Sequence, residues 1–137
     1  MLNGMGPAST MFDRAGGEDF FESLTRRFYD AVATDAILRP LYPADPSAFE
    51  AARIHLKLFL IQFWGGPAVY QSSRGQPQLR ARHARFTIGA AERDAWVRHM
   101  SEAVRDAGLK PLDETQMLSY FASAATALVN APAGPRP

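Results

Sequence analysis

The sequence predicts an all-α domain, and three features of it carry that expectation. Apolar side chains recur three or four residues apart in several separate segments; Gly and Pro punctuate those segments; and no run alternates apolar and polar residues as a half-buried strand would. At 137 residues the chain is one domain's worth of sequence, enough for about five packed helices around one core.

Thr10-Met-Phe-Asp13 has the form of a capping box, with Asp in place of the usual Glu or Gln, and predicts a short helix that Gly16-Gly17 stops. A second helix starts at Glu18 and sets Phe20, Phe21, Leu24, Phe28 and Val32 on one stripe, with Tyr29 at its edge. Pro40 and Pro43 push the residues before them out of helical backbone, which predicts a corner that pins Tyr42. Ser47-Ala-Phe-Glu50 is a full capping box, and Phe49, Ala52, Leu56, Phe59, Leu60 and Phe63 then share a helical face until Gly65-Gly66-Pro67.

Gly65 to about Gln78 is rich in Gly, Pro, Ser and Gln and long for a connection inside a compact domain, which marks it as functional or disordered. Leu79, His83 and Phe86 follow at helical spacing, so His83 faces inward from a short helix ringed by Arg80, Arg82 and Arg85. Glu92 to Ala107 turns Trp96, Val97, Met100, Ala103 and Val104 inward and stops at Gly108. The last helix runs from about Asp113 on Met117, Phe121, Ala124 and Leu128, closed by Asn130 and Pro132.

Charge is balanced, 15 Lys+Arg against 14 Asp+Glu, so no long-range field favours nucleic acid or an anionic membrane. Cysteine is absent, which excludes disulfides, thiolate-ligated haem and Cys-held zinc or iron–sulfur centres and fits a reducing cytoplasm. No leader-like start and no apolar run of about 20 residues is present, so neither export by that route nor a membrane span is expected.

Three histidines, His55, His83 and His99, are too few and too scattered for a closed zinc site or a facial triad, although one axial ligand stays open. A histidine on an apolar stripe is more often a hydrogen-bonded core residue, and the arginines at 80, 82 and 85 suit a solvated face or a cofactor's two carboxylates. Tyr29, Tyr42 and Trp96 are core aromatics with polar tips, or three hydrogen-bond donors from separate elements. No phosphate loop, nucleophile elbow or HExxH run occurs.

Taken together, Arg27-Phe28-Tyr29, Leu41-Tyr42-Pro43, Phe59-Leu60-Ile61-Gln62-Phe63-Trp64-Gly65-Gly66-Pro67, Tyr70, Arg74-Gly75, Leu79-Arg80-Ala81-Arg82-His83 and Glu92-Arg93-Asp94-Ala95-Trp96 closely resemble the group II truncated haemoglobins, in order and nearly in spacing. The resemblance covers residues 12–132 and leaves 1–11 and 133–137 as flexible tails. It implies a two-over-two helical sandwich around haem b, with His83 as proximal iron ligand. It also implies a distal pocket with Tyr29, Tyr42 and Trp96 as donors, Ala52 where many globins carry a distal histidine, and Leu56, Phe59 and Leu60 as its apolar lining. By the same analogy Arg82, Tyr70, His55 and Arg85 supply the propionate contacts, and Phe86 lies beside the haem. The segment from Pro43 to Ala51 is about two residues longer than the family pattern, with Pro46 and Phe49 unusual there.

The function so implied is binding of oxygen and other diatomic ligands at a His-ligated iron. Peroxidase-like or nitric oxide dioxygenase-like chemistry is the enzymatic option, and the resemblance leaves room for a reductase partner and a homodimer. The alternative is a helical nucleic-acid-binding or regulatory module that sets Arg74, Arg80, Arg82 and Arg85 on phosphates, against which the balanced charge argues.

Overall fold

The computed structural model describes residues 9–68 and 88–130. Five α-helices lie in these residues: α1 (Met11–Ala15), α2 (Glu18–Ala33), α3 (Pro46–Phe63), α4 (Ala90–Asp106) and α5 (Pro111–Ala127), with a 3-10 turn at Arg39–Leu41. The described residues contain no strand, as the sequence predicts. Helix α2 packs on α3, α4 packs on α5, and α2 crosses α4. Two helix pairs thus face each other across one core.

Thr10 Oγ1 accepts from the Asp13 N–H at 3.1 Å and starts α1, and Gly16 and Gly17 at φ +122° and +72° stop it in backbone that L side chains rarely adopt. Met11, assigned by the sequence to the N-terminal tail, is instead buried in α1 at 4% exposure. The Phe12 N–H donates to the Trp64 carbonyl at 2.9 Å, so α1 lies against the end of α3. The predicted stripe of α2 is buried throughout, and Thr25 and Tyr29 are buried with it.

The start of α3 differs from expectation. Asp45, not Ser47, is the N-cap: its Oδ2 accepts from the Ala48 N–H at 3.0 Å, and Pro46 fills the first helical position, where no N–H is needed. The Pro40–Pro43 corner contains the short 3-10 turn, after which Tyr42 is extended at φ −114°, ψ 158°. Gly89 presents its N–H to Glu92 Oε1 at 2.9 Å and opens α4 two residues before the predicted start, while Pro111 opens α5 two residues before Asp113. On α5 the buried alanine is Ala125 rather than Ala124. Asn130 and Ile88 bond each other twice at 2.8 Å, joining the chain before α4 to the chain after α5.

Candidate functional site

The site is assembled from α2, the corner, the first half of α3, and α4. Tyr29 follows Phe28 on the buried stripe of α2, and their rings meet edge-on at 5.5 Å. Phe28 touches Trp96 of α4 at 5.2 Å, and Tyr29 touches Tyr42 at 5.4 Å. Phe49, in the first turn of α3, completes the group at 5.2 Å from Tyr29 and 6.0 Å from Tyr42. Edge-to-face contacts of this kind fix ring orientation as well as excluding water.

Burial pushes the Tyr29 hydroxyl well above the usual phenol range, with Tyr42 adding to the rise and the nearby Arg53 charge opposing it. Burial also raises the Tyr42 hydroxyl to about 12, while a hydrogen bond from Trp96 pulls the other way. Both phenols therefore stay protonated at neutral pH and can donate, and the indole N–H of Trp96 is a donor at any pH. The three predicted polar aromatics are brought together in one cluster.

Ala52, Leu56, Phe59 and Phe63 share the face of α3 that continues from this group. Leu60 and Phe59 are buried, Ala52, His55 and Leu56 are half-buried, and Phe63 is 47% exposed with its ring stacked on Tyr120 at 4.2 Å. Among the described residues, this face of α3 keeps apolar side chains that are not fully buried. The predicted Tyr70, Arg82, His83, Arg85 and Phe86, together with the Arg74 to Arg85 cluster, lie outside the described residues.

Two further features frame these aromatics, and neither is marked by a sequence motif. Arg53, 4% exposed, follows Ala52 and binds Glu50 through two hydrogen bonds of 2.7 and 3.0 Å, Glu22 at 3.1 Å and Thr25 at 3.2 Å, tying α3 to α2. Its signal was the Glu50–Arg53 spacing on one helix face, which also fits a solvated pair. His99 of α4 bonds Asp35 at 2.7 Å, and Asp35 accepts from the Ile37 and Leu38 N–H groups at 2.8 and 2.9 Å. His99 and then these backbone donors hold the Asp35 carboxyl down at about 2. The chain leading to Tyr42 is thereby fastened to the helix that carries Trp96.

The bacterial-like globin family profile matches residues 10–130. The chain belongs to that family. Among its relatives, the globin is 40% identical over 94 residues to the group 2 truncated hemoglobin YjbI of Bacillus subtilis, a match covering 69% of each chain. It is similar to the crystal structure of a thermostable hemoglobin from Thermobifida fusca, with a TM-score of 0.87 and 47% identity over 90% of this chain and 99% of that one. The group II truncated hemoglobin of Bacillus anthracis matches with a TM-score of 0.86 and 33% identity, covering 93% and 95% of the two chains. The globin is a group II truncated haemoglobin with the two-over-two fold, and its function is to bind diatomic ligands such as oxygen at haem. These relatives give the nucleic-acid-binding alternative no support.

The described residues fit haem by their chemistry. A flat apolar group with a polar ligand on one side needs an apolar wall and a few donors at one place, and the α3 face beside Tyr29, Tyr42 and Trp96 offers both. Among the described residues, no cluster of His, Cys, Asp and Glu competes as a metal site, and no helix is long and apolar enough to cross a membrane.

Proposed function

We propose that this globin binds oxygen in a distal pocket where Tyr29, Tyr42 and Trp96 donate hydrogen bonds to the ligand, with His83 as the proximal iron ligand. The convergence of these three aromatics beside the apolar face of α3 carries the distal part of the proposal. Haem supplies the iron that binds the diatomic ligand; the chain supplies orientation, exclusion of water and polarity. Ala52 has no donor and no iron-binding atom, so distal hydrogen bonding falls to the phenols and the indole. Leu56, Phe59 and Leu60 form the apolar wall. In this reading Tyr70, Arg82, His55 and Arg85 would hold the haem propionates, and Phe86 would add to the apolar lining.

The absence of cysteine supports a reducing cytoplasm as the working compartment. Oxygen binding needs ferrous iron, so a reductase is the proposed protein partner.

Stopped-flow oxygen dissociation tests the distal assignment. A net hydrogen bond contributes roughly 0.5–1.5 kcal/mol, so Trp96→Phe should release oxygen about two- to tenfold faster. Tyr29→Phe alone should change less, because the remaining donors reorient, and the double variant should lose more than the sum of the singles. Equal rates in all four proteins would mean that the aromatics only pack.

A further inference from the structure

Helix α3 begins with a device that the donor set does not explain. The Phe49 ring packs edge-on against Tyr29 and Tyr42 at 5.2 and 6.0 Å, closing a triangle whose third side is the 5.4 Å contact between the two tyrosines. The guanidinium of Arg39 lies over the same ring, 4.3 Å from its centroid. That guanidinium also donates to the carbonyls of Tyr42 at 3.3 Å, Pro43 at 2.8 Å and Ala44 at 3.4 Å. One planar fork therefore fastens the backbone of the Tyr42 corner and covers the ring on which Tyr42 rests.

Each part suits its task. Tyr42 sits in extended backbone at the end of the 3-10 turn, where its N–H donates to the Arg39 carbonyl at 3.1 Å and its own carbonyl accepts from the Arg39 guanidinium. Three consecutive carbonyls at a corner need donors, and a guanidinium offers several in a fixed plane while its face stacks on an aromatic ring. A lysine could bond one or two of these carbonyls but could not stack as a plane. Phe49 is half-buried and lies in the segment between Pro43 and Ala51, on the first turn of α3.

We propose that Phe49 and Arg39 are positioning residues of the distal pocket. Phe49 locks the two phenols in one mutual orientation and keeps water from that side, and Arg39 holds the Tyr42 corner and the Phe49 ring as one unit. Neither residue touches the ligand; both act through Tyr29 and Tyr42, so the inference rests on the reading of those tyrosines as ligand donors.

The test uses haem-loaded Phe49→Leu and Arg39→Lys, which keep apolar character and charge respectively, beside Tyr29→Phe, Tyr42→Phe and wild type. Two readouts are the infrared C–O stretch of the ferrous carbonyl form, which senses the donors at the ligand, and the fluorine NMR spectrum of protein labelled with 3-fluorotyrosine. Thermal melting and oxygen dissociation are followed in parallel. In Phe49→Leu and Arg39→Lys the single C–O band should split or broaden and the Tyr29 and Tyr42 resonances should shift. Oxygen should leave faster by a few-fold up to about tenfold, the range set by one aromatic contact. Lower melting temperatures with an unchanged C–O band and unchanged tyrosine resonances would reduce both residues to packing and overturn the proposal. If Tyr29→Phe and Tyr42→Phe themselves leave the C–O band and the release rate unchanged, the donor reading fails first and takes the proposal with it.

Discussion

Replacing Arg53 with methionine removes a buried cation while keeping an unbranched side chain of comparable length, so the electrostatic part of the α2–α3 contact can be isolated. Arg53 is 4% exposed and makes four hydrogen bonds, two to Glu50, one to Glu22 and one to Thr25. Breaking a fully buried pair by deleting one partner costs roughly 3–5 kcal/mol, because the other charge is stranded. Here the partners are not stranded: the side chains of Glu22 and Glu50 are 34% and 46% exposed. Glu22 keeps Arg26 at 2.8 Å and Lys57 at 3.0 Å, and Thr25 keeps its bond to the Phe21 carbonyl at 2.8 Å. The expected loss is therefore about 1–3 kcal/mol, the scale of a charge-assisted bond. Urea unfolding of the haem-loaded protein at neutral pH measures it as a lower midpoint at unchanged slope. A double-mutant cycle should show Glu50→Gln costing less when combined with Arg53→Met than it does alone. An Arg53→Met protein as stable as wild type, or more stable, would show that desolvation of Arg53 cancels its ion pairs and would refute this reasoning.

The same network makes stability depend on acid. Arg26, then Lys57 and Arg53, hold the Glu22 carboxyl at about 2, below its ordinary 4.5, and Glu50 is lowered chiefly by Arg53. A lowered folded-state value stabilises the protein fully above the unfolded value and is lost as pH falls through the window from 4.5 towards 2. Melting curves between about pH 5 and 3 should therefore fall less steeply for Glu22→Gln than for wild type, and parallel curves would contradict this. Gly66→Ala should destabilise by about 1–3 kcal/mol, since the added methyl would stand 2.6 Å from Ile61 Cγ2 and 2.7 Å from the Phe12 ring. An unchanged melting temperature in that variant would mean that α1 gives way at no cost.

The helical stripes were legible because their period is local. Phe20, Phe21, Leu24, Phe28 and Val32 needed only their own spacing to be placed inside, and all are buried. Helix starts were less legible, since Asp45 and Ser47 are both good caps and only the proline between them decides in favour of Asp45. Tyr29, Tyr42 and Trp96 were named from the resemblance, but their convergence depends on how α2 crosses α4, which no local pattern encodes. Arg53 and Arg39 carry no sequence signal of a role, because their local partners fit a solvated pair and a simple turn while the partners that tie elements together meet only in the fold. Glu22 lies 31 residues from Arg53, and the Phe49 ring comes to Arg39 only when the corner folds back on α3.

The central claim, that this chain carries haem on His83, is tested most directly by titrating haem into the wild-type apoprotein and into His83→Gly while recording absorption spectra. Wild type should take up haem with a Soret band. His83→Gly should lose tight uptake and regain a ligated ferrous spectrum when imidazole is added, since the added base can stand where the side chain was. Undiminished uptake and an unchanged ferrous spectrum in His83→Gly, with His55→Ala or His99→Ala losing them instead, would contradict the assignment.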